Sequence, residues 1–223
     1  MKAAIFDMDG TVLDSMHMWH NMLPRFMMEW NITPDEKFYK DTDTMSLDEM
    51  AEYLVTRYSL PVEAVVLQNQ WKAAILNCYV TEISPKPHIK EYMQLLRDNN
   101  VGIALATLTQ HEICDEAMKQ LGFSQLLDFI LTTEDVGGIT KRRPDLFLKC
   151  ASLFDASPSE CVVFEDSLYP LQAAVDAGFR VCVIEDSFSL KHRDELKKVS
   201  HRYIKDFSEL CDEAKKGSDF NAF

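Results

Sequence analysis

The stretch KAAIFDMDGTVLDS, Lys2–Ser15, decides the fold of this chain. Its apolar run at 3–6 predicts a short buried strand, and two acids follow it, Asp7 and Asp9, one residue apart. Asp and Gly are ordinary turn residues, so DMDG could be a turn and nothing more. The alternative interpretation is a site where carboxylates bind a cation beside a phosphate group. The residues that follow the later strands distinguish the two.

Four further apolar runs predict buried strands like the first. Amphipathic stretches lie between most of them, and two of these stretches end in glycine, a common helix stop. Strands that alternate with helices predict an α/β fold, in which a parallel sheet is covered by helices on both faces. One more edge strand and a helix are expected near the C terminus, with a loose tail after Gly217. The four runs are 101–106, 129–132, 161–164 and 181–184.

The first two strands are separated by a much longer stretch than the later ones. This stretch contains helical patterns and no convincing strand, which predicts an inserted α-helical cap domain. We expect the cap at 15–81 and a core domain formed by 1–14 together with 82–223. The helical patterns cover 16–30, 46–58 and 61–78.

The composition excludes several classes of protein. The net charge of −13 disfavours nucleic acids and anionic membranes as partners, and it means that an anionic substrate needs local positive charge. No apolar run approaches the roughly 20 residues of a membrane span, and the N terminus lacks a signal-peptide pattern. Six well-separated cysteines predict reduced thiols in a cytoplasmic protein. We expect a monomer or a weak homodimer that acts on a small molecule.

Polar residues suited to a phosphate or metal site follow four of the predicted strands. Ligands of open parallel sheets bind beyond the carboxyl ends of the strands, so these residues are expected at one edge. Structural roles are also open to them: a turn, a strand end, a surface lysine or a helix N-cap. The residues are Asp7 and Asp9 after the first strand, Thr107 after the second, Lys141 after the third, and Glu165 and Asp166 after the fourth.

Clustered carboxylates repel one another unless a cation neutralises them. Ligation by oxygen atoms alone is the preference of Mg²⁺. Asp7 and Asp166 are the best candidate ligands, with the backbone carbonyl of Asp9 as a third. Glu165 could ligate directly or through a water molecule.

The same residues suit phosphoryl transfer. A carboxylate beside a cation can attack phosphorus and form an acyl phosphate. Alternate strand residues face the same side, so Asp9 can face the site of Asp7, and we assign Asp9 as the general acid and base. The transferring oxygens need donors, and the Thr107 hydroxyl and the Lys141 ammonium are candidates.

Four motifs in this order carry a family resemblance. They are DMDGT at 7–11, IALAT ending at Thr107, ITKRRPDLF around Lys141, and VVFEDSLYPLQAAVDAGF at 162–179. Together they resemble the haloacid dehalogenase-like superfamily, in its branch of β-phosphoglucomutase-like phosphatases, over about residues 1–185. The resemblance implies a Rossmann-like core with a helical cap between the first and second motifs.

The resemblance also implies a role for each motif residue. It makes Asp7 the nucleophile and Asp9 the general acid and base, which argues against dehalogenase chemistry because dehalogenases lack the second acid. Phosphate binding is implied for Thr107 and Lys141. The implied Mg²⁺ ligands are Asp7, Asp9, Glu165 and Asp166.

Two departures from the family pattern affect the loops of the site. The family often has Gly-Lys-Pro where this chain has Thr140, Lys141 and Arg142. The glycine usual four residues after the fourth-motif aspartate is Pro170 here. These changes leave the ligand set intact, but they put the local loop geometry in question.

Four residues are candidates for contact with a substrate. Thr11 follows the two acids, Trp19 and His20 belong to the first cap helix, and Lys72 lies on the last long cap helix. We expect the first turn of the first cap helix to overhang the active site.

Three functions are consistent with the sequence. The favoured one is a Mg²⁺-dependent phosphatase that hydrolyses a small phosphorylated metabolite, such as a sugar phosphate, through an aspartyl-phosphate. A β-phosphoglucomutase-type phosphomutase is the alternative, but the cap histidine of those enzymes aligns with Trp19 and their cap arginine aligns near Ser46, although their cap lysine matches Lys72. The third is a non-catalytic phospho-ligand binder, which would not need both Asp7 and Asp9.

Overall fold

The structure, a computed structural model, describes residues 1–42, 45 and 47–216. The chain forms two compact units, Met1–Met16 with Ile83–Phe223, and His17–Glu82. These bounds lie close to those expected for the core and the cap. Two predictions, the aligned arginine position near Ser46 and the loose tail after Gly217, lie outside the described residues.

Six strands and ten α-helices are formed by the described residues. The strands are β1 (Ala3–Phe6), β2 (Gly102–Thr107), β3 (Phe129–Thr132), β4 (Cys161–Glu165), β5 (Arg180–Ile184) and β6 (Arg202–Ile204). The helices are α1 (Met16–Glu29), α2 (Glu36–Thr42), α3 (Leu47–Tyr58), α4 (Ala64–Thr81), α5 (Ile89–Asp98), α6 (His111–Gln120), α7 (Asp145–Leu153), α8 (Leu168–Asp176), α9 (Arg193–Val199) and α10 (Ser208–Lys215).

All six strands belong to one parallel sheet with the order β3-β2-β1-β4-β5-β6. The predicted α/β fold with a Rossmann-like parallel sheet is therefore confirmed. The strand order reverses between β1 and β4, which is where such sheets bind their ligands. Phe6 at the end of β1 lies opposite Leu105 and Phe164, so the three central strands end at nearly the same level.

Helices cover both faces of the sheet because alternate strand residues point to opposite sides. On one face, residues such as Ile5 and Val163 pack in a single buried cluster with residues of α7, α8 and α9. On the other face, Phe6 and Phe164 stack with ring centroids 4.3 Å apart. Tyr92 of α5 packs against this aromatic pair. The result is the expected arrangement of three layers.

The two chain segments that connect the units pair with each other inside the first unit. The backbone N–H of Asp14 donates to the carbonyl of Ser84, and that of Lys86 donates to the carbonyl of Val12, both at 2.9 Å. Leu13 and Pro85 form an antiparallel bridge between these two bonds. The chain therefore leaves and re-enters the first unit at adjacent positions.

The second unit consists of α1 to α4. The rings of Phe26 in α1 and Trp71 in α4 stack at 4.9 Å, so these two helices pack through aromatic side chains. The short helix α2 was not predicted, and it lies between the helical patterns expected at 16–30 and 46–58. Asp35 directly precedes this helix, and its Oδ1 accepts a hydrogen bond of 2.7 Å from the backbone N–H of Phe38, as an N-cap residue does. Among the described residues, no helix has both the length and the apolar character needed to cross a membrane.

Candidate active site

The loop after β1 is a tight turn that directs the first two acids toward the edge of the sheet. The backbone N–H of Asp7 donates to the carbonyl of Phe164 on β4, which continues the sheet pairing by one residue. Gly10 has a φ of +88°, a left-handed conformation that favours glycine. A Cβ atom at Gly10 would lie 2.6 Å from Oδ2 of Asp166, so glycine is also required by the close approach of this carboxylate.

Lys141 lies between two of the acids that the sequence placed at this edge. Its ammonium group contacts Oδ1 of Asp7, and it donates to Oε1 of Glu165 at 2.9 Å. Lys141 is 2% exposed, so it is not the surface lysine that remained an alternative. The structure thus brings Asp7, Lys141 and Glu165 from three different parts of the chain into direct contact.

Glu165 has both carboxylate oxygens engaged. Oε1 accepts from Lys141, and Oε2 accepts from the backbone N–H groups of Asp166 and Ser167, both at 2.9 Å. These two backbone bonds satisfy donors at the start of α8, which is close to the N-cap role considered for this residue. Asp166 accepts hydroxyl hydrogen bonds from Ser167 at 3.3 Å and from Ser189 at 3.0 Å.

If all were ionised, the buried acids would carry more negative charge than Lys141 can neutralise. Burial raises the pKa of Asp7 to about 8, and the Glu165 and Asp9 carboxylates add to this while Lys141 opposes it. The pKa of Asp166 is also raised, first by burial and then by the neighbouring carboxylates. The Asp7 and Glu165 carboxylates raise the pKa of Lys141 in spite of its burial. An additional cation at this point would relieve the repulsion.

Three carboxylates are arranged in a way that fits such a cation. Asp7, Glu165 and Asp166 each offer an oxygen atom, and these atoms lie within 4.8 Å of one another. A donor set made only of oxygen matches Mg²⁺ rather than a metal that prefers nitrogen or sulfur. The side chain of Asp9 is not a member of this group, and its predicted ligand atom is the backbone carbonyl.

Asp9 has surroundings different from those of Asp7. Its Oδ1 accepts a 2.6 Å hydrogen bond from the hydroxyl of Ser15, and its Oδ2 accepts one of 2.9 Å from the hydroxyl of Thr109. Asp7 instead contacts an ammonium group. The two acids, one residue apart, are therefore placed in distinct environments, one beside a cation and one held by two hydroxyl groups.

Thr107 and Thr11 are the hydroxyl residues predicted for the site. Thr107 ends β2, is buried, and its Oγ1 accepts from the backbone N–H of Thr109 at 3.1 Å. A hydroxyl that accepts one bond can still donate its own proton. Thr11 is fully buried, and its Oγ1 has no hydrogen-bond partner among the described residues. A buried hydroxyl of this kind can serve a ligand oxygen.

The predicted substrate contacts of the cap lie in the second unit. The indole N–H of Trp19 donates to the hydroxyl of Tyr79 at 3.2 Å. The ammonium of Lys72 lies 3.7 Å from Oδ1 of Asp48. His20 is an exposed residue of α1. Contact of Trp19, His20 and Lys72 with a substrate stays a prediction.

The departures from the family pattern are accommodated locally. Pro170 lies in the first turn of α8, where a backbone N–H has no acceptor within the helix, so its missing donor costs nothing there. Arg142 follows the buried Lys141, and its guanidinium stacks over the ring of Tyr169 at 4.3 Å. The lysine therefore reaches the acids without the Gly-Lys-Pro sequence.

Sequence reasoning missed three hydroxyl residues that orient the acids. They are Ser15 and Thr109, which donate to Asp9, and Ser189, which donates to Asp166. Thr109 lies two residues beyond Thr107, the last residue of β2, and this proximity to a predicted site residue was the available signal.

Comparison with known proteins agrees with this fold. The chain matches the haloacid dehalogenase-like hydrolase family over residues 4–184, and it belongs to that family. The predicted family, and the prediction that the protein is an enzyme of the hydrolase class, are confirmed.

Two relatives and one solved structure illustrate the similarity. YhcW of Bacillus subtilis (strain 168), provisionally named a phosphatase, is 28% identical over 185 residues, which cover 82% of this chain and 83% of that protein. The fructose-1-phosphate phosphatase YqaB of Escherichia coli (strain K12) is 24% identical, with 78% of this chain and 91% of that protein covered. The structure of CbbY from Rhodobacter sphaeroides in complex with phosphate has a TM-score of 0.76 at 21% identity, and covers 94% of this chain and 96% of that one.

Proposed function

We propose that this protein is a Mg²⁺-dependent phosphatase of a small phosphorylated metabolite, and that it acts through an aspartyl-phosphate on Asp7. One observation carries the proposal: three buried carboxylates and one buried lysine meet where the strand order of the sheet reverses, beside Asp9, which two hydroxyl groups hold. A structural ion pair would not require this excess of buried acid.

Asp7 and Asp166 would hold the metal, together with the backbone carbonyl of Asp9. Both oxygens of Glu165 already accept hydrogen bonds, so we assign this residue to orienting Lys141 and the start of α8. Glu165 would reach the metal directly or through water. A bound Mg²⁺ would neutralise negative charge on the phosphoryl group. The fit rests on the chemistry of the donor set, which contains only oxygen.

In the proposed reaction, the chain's own residues divide the work. A carboxylate oxygen of Asp7 attacks phosphorus, and the bond from phosphorus to the leaving oxygen breaks. Asp9, oriented by Ser15 and Thr109, protonates the leaving oxygen and then takes a proton from the water that hydrolyses the aspartyl-phosphate. Lys141 and the Thr107 hydroxyl bind the phosphoryl oxygens. Lys141, which contacts Asp7 in the structure, would then also neutralise negative charge on the phosphoryl group of the substrate.

The substrate class is proposed from chemistry and relatives together. The first unit carries the residues proposed to bind a phosphate group, and YqaB is named as a phosphatase of fructose 1-phosphate. We therefore propose a sugar phosphate or a similar small phosphorylated molecule. The predicted cytoplasmic location, and the prediction of a monomer or weak homodimer, stay predictions.

Substitution of the nucleophile tests the phosphatase. Asp7→Asn should abolish Mg²⁺-dependent release of phosphate from p-nitrophenyl phosphate. Asp176→Asn, at an exposed position on α8, makes the same chemical change outside the site and should keep wild-type activity. Full activity of Asp7→Asn would refute the proposed nucleophile. A screen of sugar phosphates and nucleotides, with and without Mg²⁺, would then identify the substrate.

The phosphomutase remains the second candidate because it would use the same aspartyl-phosphate. Incubation with β-glucose 1-phosphate and glucose 1,6-bisphosphate separates the two. Glucose 6-phosphate formed without an equal amount of free phosphate supports the mutase, whereas release of free phosphate supports hydrolysis. Turnover of either kind would exclude the non-catalytic binder.

A further inference from the structure

Asp166 receives a hydrogen bond from a turn far along the chain. The hydroxyl of Ser189, in the segment after β5, donates to Oδ2 of Asp166 at 3.0 Å. Ser167 donates to the other oxygen, Oδ1, at 3.3 Å. Both oxygens of a proposed metal ligand are thus fixed by hydroxyl groups, one from its own loop and one from a different strand connection.

The turn that carries Ser189 is organised by Asp186. Oδ1 of Asp186 accepts from the backbone N–H of Phe188 at 2.9 Å, and its backbone carbonyl accepts from the N–H of Ser189 at 3.1 Å. These two bonds set the path of the chain from Asp186 to Ser189. The position of the Ser189 hydroxyl therefore depends on the orientation of the Asp186 carboxylate.

Lys86 binds the other oxygen of that carboxylate. Its ammonium donates to Oδ2 of Asp186 at 2.7 Å, and the Asp186 side chain is 0% exposed. A buried carboxylate needs such a partner, since an unpaired buried charge is unfavourable. Lys86 is itself held by its backbone N–H, which donates to the carbonyl of Val12. The paired connecting segments are thereby linked to the turn that carries Ser189.

We propose that Ser189 is a positioning residue for the metal ligand Asp166, and that the ion pair of Lys86 with the buried Asp186 holds Ser189 in place. The inference rests on the proposed function, because it takes Asp166 as a ligand of the metal. Hydrogen bonds to a ligating carboxylate fix its orientation, and the loss of such a partner typically lowers metal affinity about 10- to 100-fold.

Direct binding of Mn²⁺ to the metal-free protein tests the inference without relying on turnover. Free Mn²⁺ is measured by electron paramagnetic resonance during titration of the wild type and four variants. Ser189→Ala should raise the Kd for Mn²⁺ about 10- to 100-fold. Ser189→Thr, which keeps a hydroxyl, should recover most of the affinity. Ser187→Ala, at an exposed serine of the same turn, should bind like the wild type.

The fourth variant tests the support from Lys86. Lys86→Met should weaken Mn²⁺ binding in the same direction as Ser189→Ala, and thermal unfolding in EDTA checks that it is folded at the titration temperature. If Lys86→Met is unfolded there, Lys86→Gln takes its place. Wild-type affinity of the folded variant would refute the role of the ion pair between Lys86 and Asp186.

The remaining outcomes distinguish the inference from the proposed function. Wild-type affinity of Ser189→Ala would refute the positioning role, and so would a failure of Ser189→Thr to recover binding, since the hydroxyl would then not be the cause. A wild-type protein that does not bind Mn²⁺ would instead refute the proposed metal site itself.

Discussion

Gly10 offers the most direct test of the geometry of the acidic cluster. Its φ of +88° disfavours any other residue, and a Cβ atom there would lie 2.6 Å from Oδ2 of Asp166. The substitution Gly10→Ala therefore combines backbone strain with a collision. Gly178 separates the two effects, because its φ is +87° while the nearest atom to an added Cβ is 3.9 Å away.

The magnitudes follow from these distances. A left-handed conformation costs a residue with a side chain about 1–2 kcal/mol, so both variants should lose a similar amount of stability. To restore an ordinary contact of 3.4 Å, the Asp166 carboxylate must move by about 0.8 Å. Metal–ligand distances tolerate about 0.2 Å, so only Gly10→Ala should lose Mg²⁺ affinity, by about tenfold or more.

Calorimetric titration of the two variants with Mg²⁺ is the assay. Thermal unfolding in EDTA measures the shared strain, and the Mg²⁺ titration measures the effect specific to Gly10. We expect Gly178→Ala to bind Mg²⁺ like the wild type. Equal Mg²⁺ affinity of Gly10→Ala and Gly178→Ala would refute the argument that Asp166 is a ligand held against Gly10.

Three further predictions concern the buried charges, the hydroxyl groups and the thiols. Lys141→Met should lower the free energy of unfolding in EDTA by about 3–5 kcal/mol, because it leaves the buried carboxylates without a compensating positive charge. Denaturant unfolding measures this loss. Lys149→Met, at an exposed position, is the control, and an equal loss in that variant would contradict the prediction. Thr109→Val removes a hydrogen bond to Asp9 that contributes about 1.5–3 kcal/mol. The variant should therefore lower kcat on p-nitrophenyl phosphate about 10- to 100-fold. An unchanged kcat would show that Asp9 does not need this hydrogen bond. An aromatic disulfide reagent at pH 8 should react first with Cys78, since the other five thiols are buried and burial raises the pKa of Cys150, for example, to about 12. A fast reaction that persists in Cys78→Ser would contradict the described burial.

The sheet was predictable because its strands are strongly apolar and separated by clear helix stops. All five predicted apolar runs form strands whose ends lie within one residue of the expected positions. The sixth strand was expected from a short C-terminal pattern. The helix α9 was not predicted. Only Leu196 is buried in it, and its remaining residues are mostly charged, so it has no apolar periodicity to detect.

The acids and Lys141 were predictable at the edge of the sheet because parallel strands bring their carboxyl ends together. The hydroxyl groups that orient them were not. Thr109 lies 100 residues from Asp9, and Ser189 lies 23 residues from Asp166, in turns where serine and threonine are common for local reasons. Only the folded geometry shows which of many such residues donates to an acid.

The paired connecting segments make the second unit a replaceable module. The hydrogen bonds between 12–14 and 84–86 hold the two ends of the insertion side by side within the first unit. The entropy of closing a loop between fixed neighbouring ends grows only slowly with its length, so this point of the chain tolerates insertions of very different size. A short hairpin turn could replace 17–82 without interrupting a single strand of the sheet. One core could in this way be combined with different inserted units, while the residues proposed for phosphoryl transfer stay unchanged.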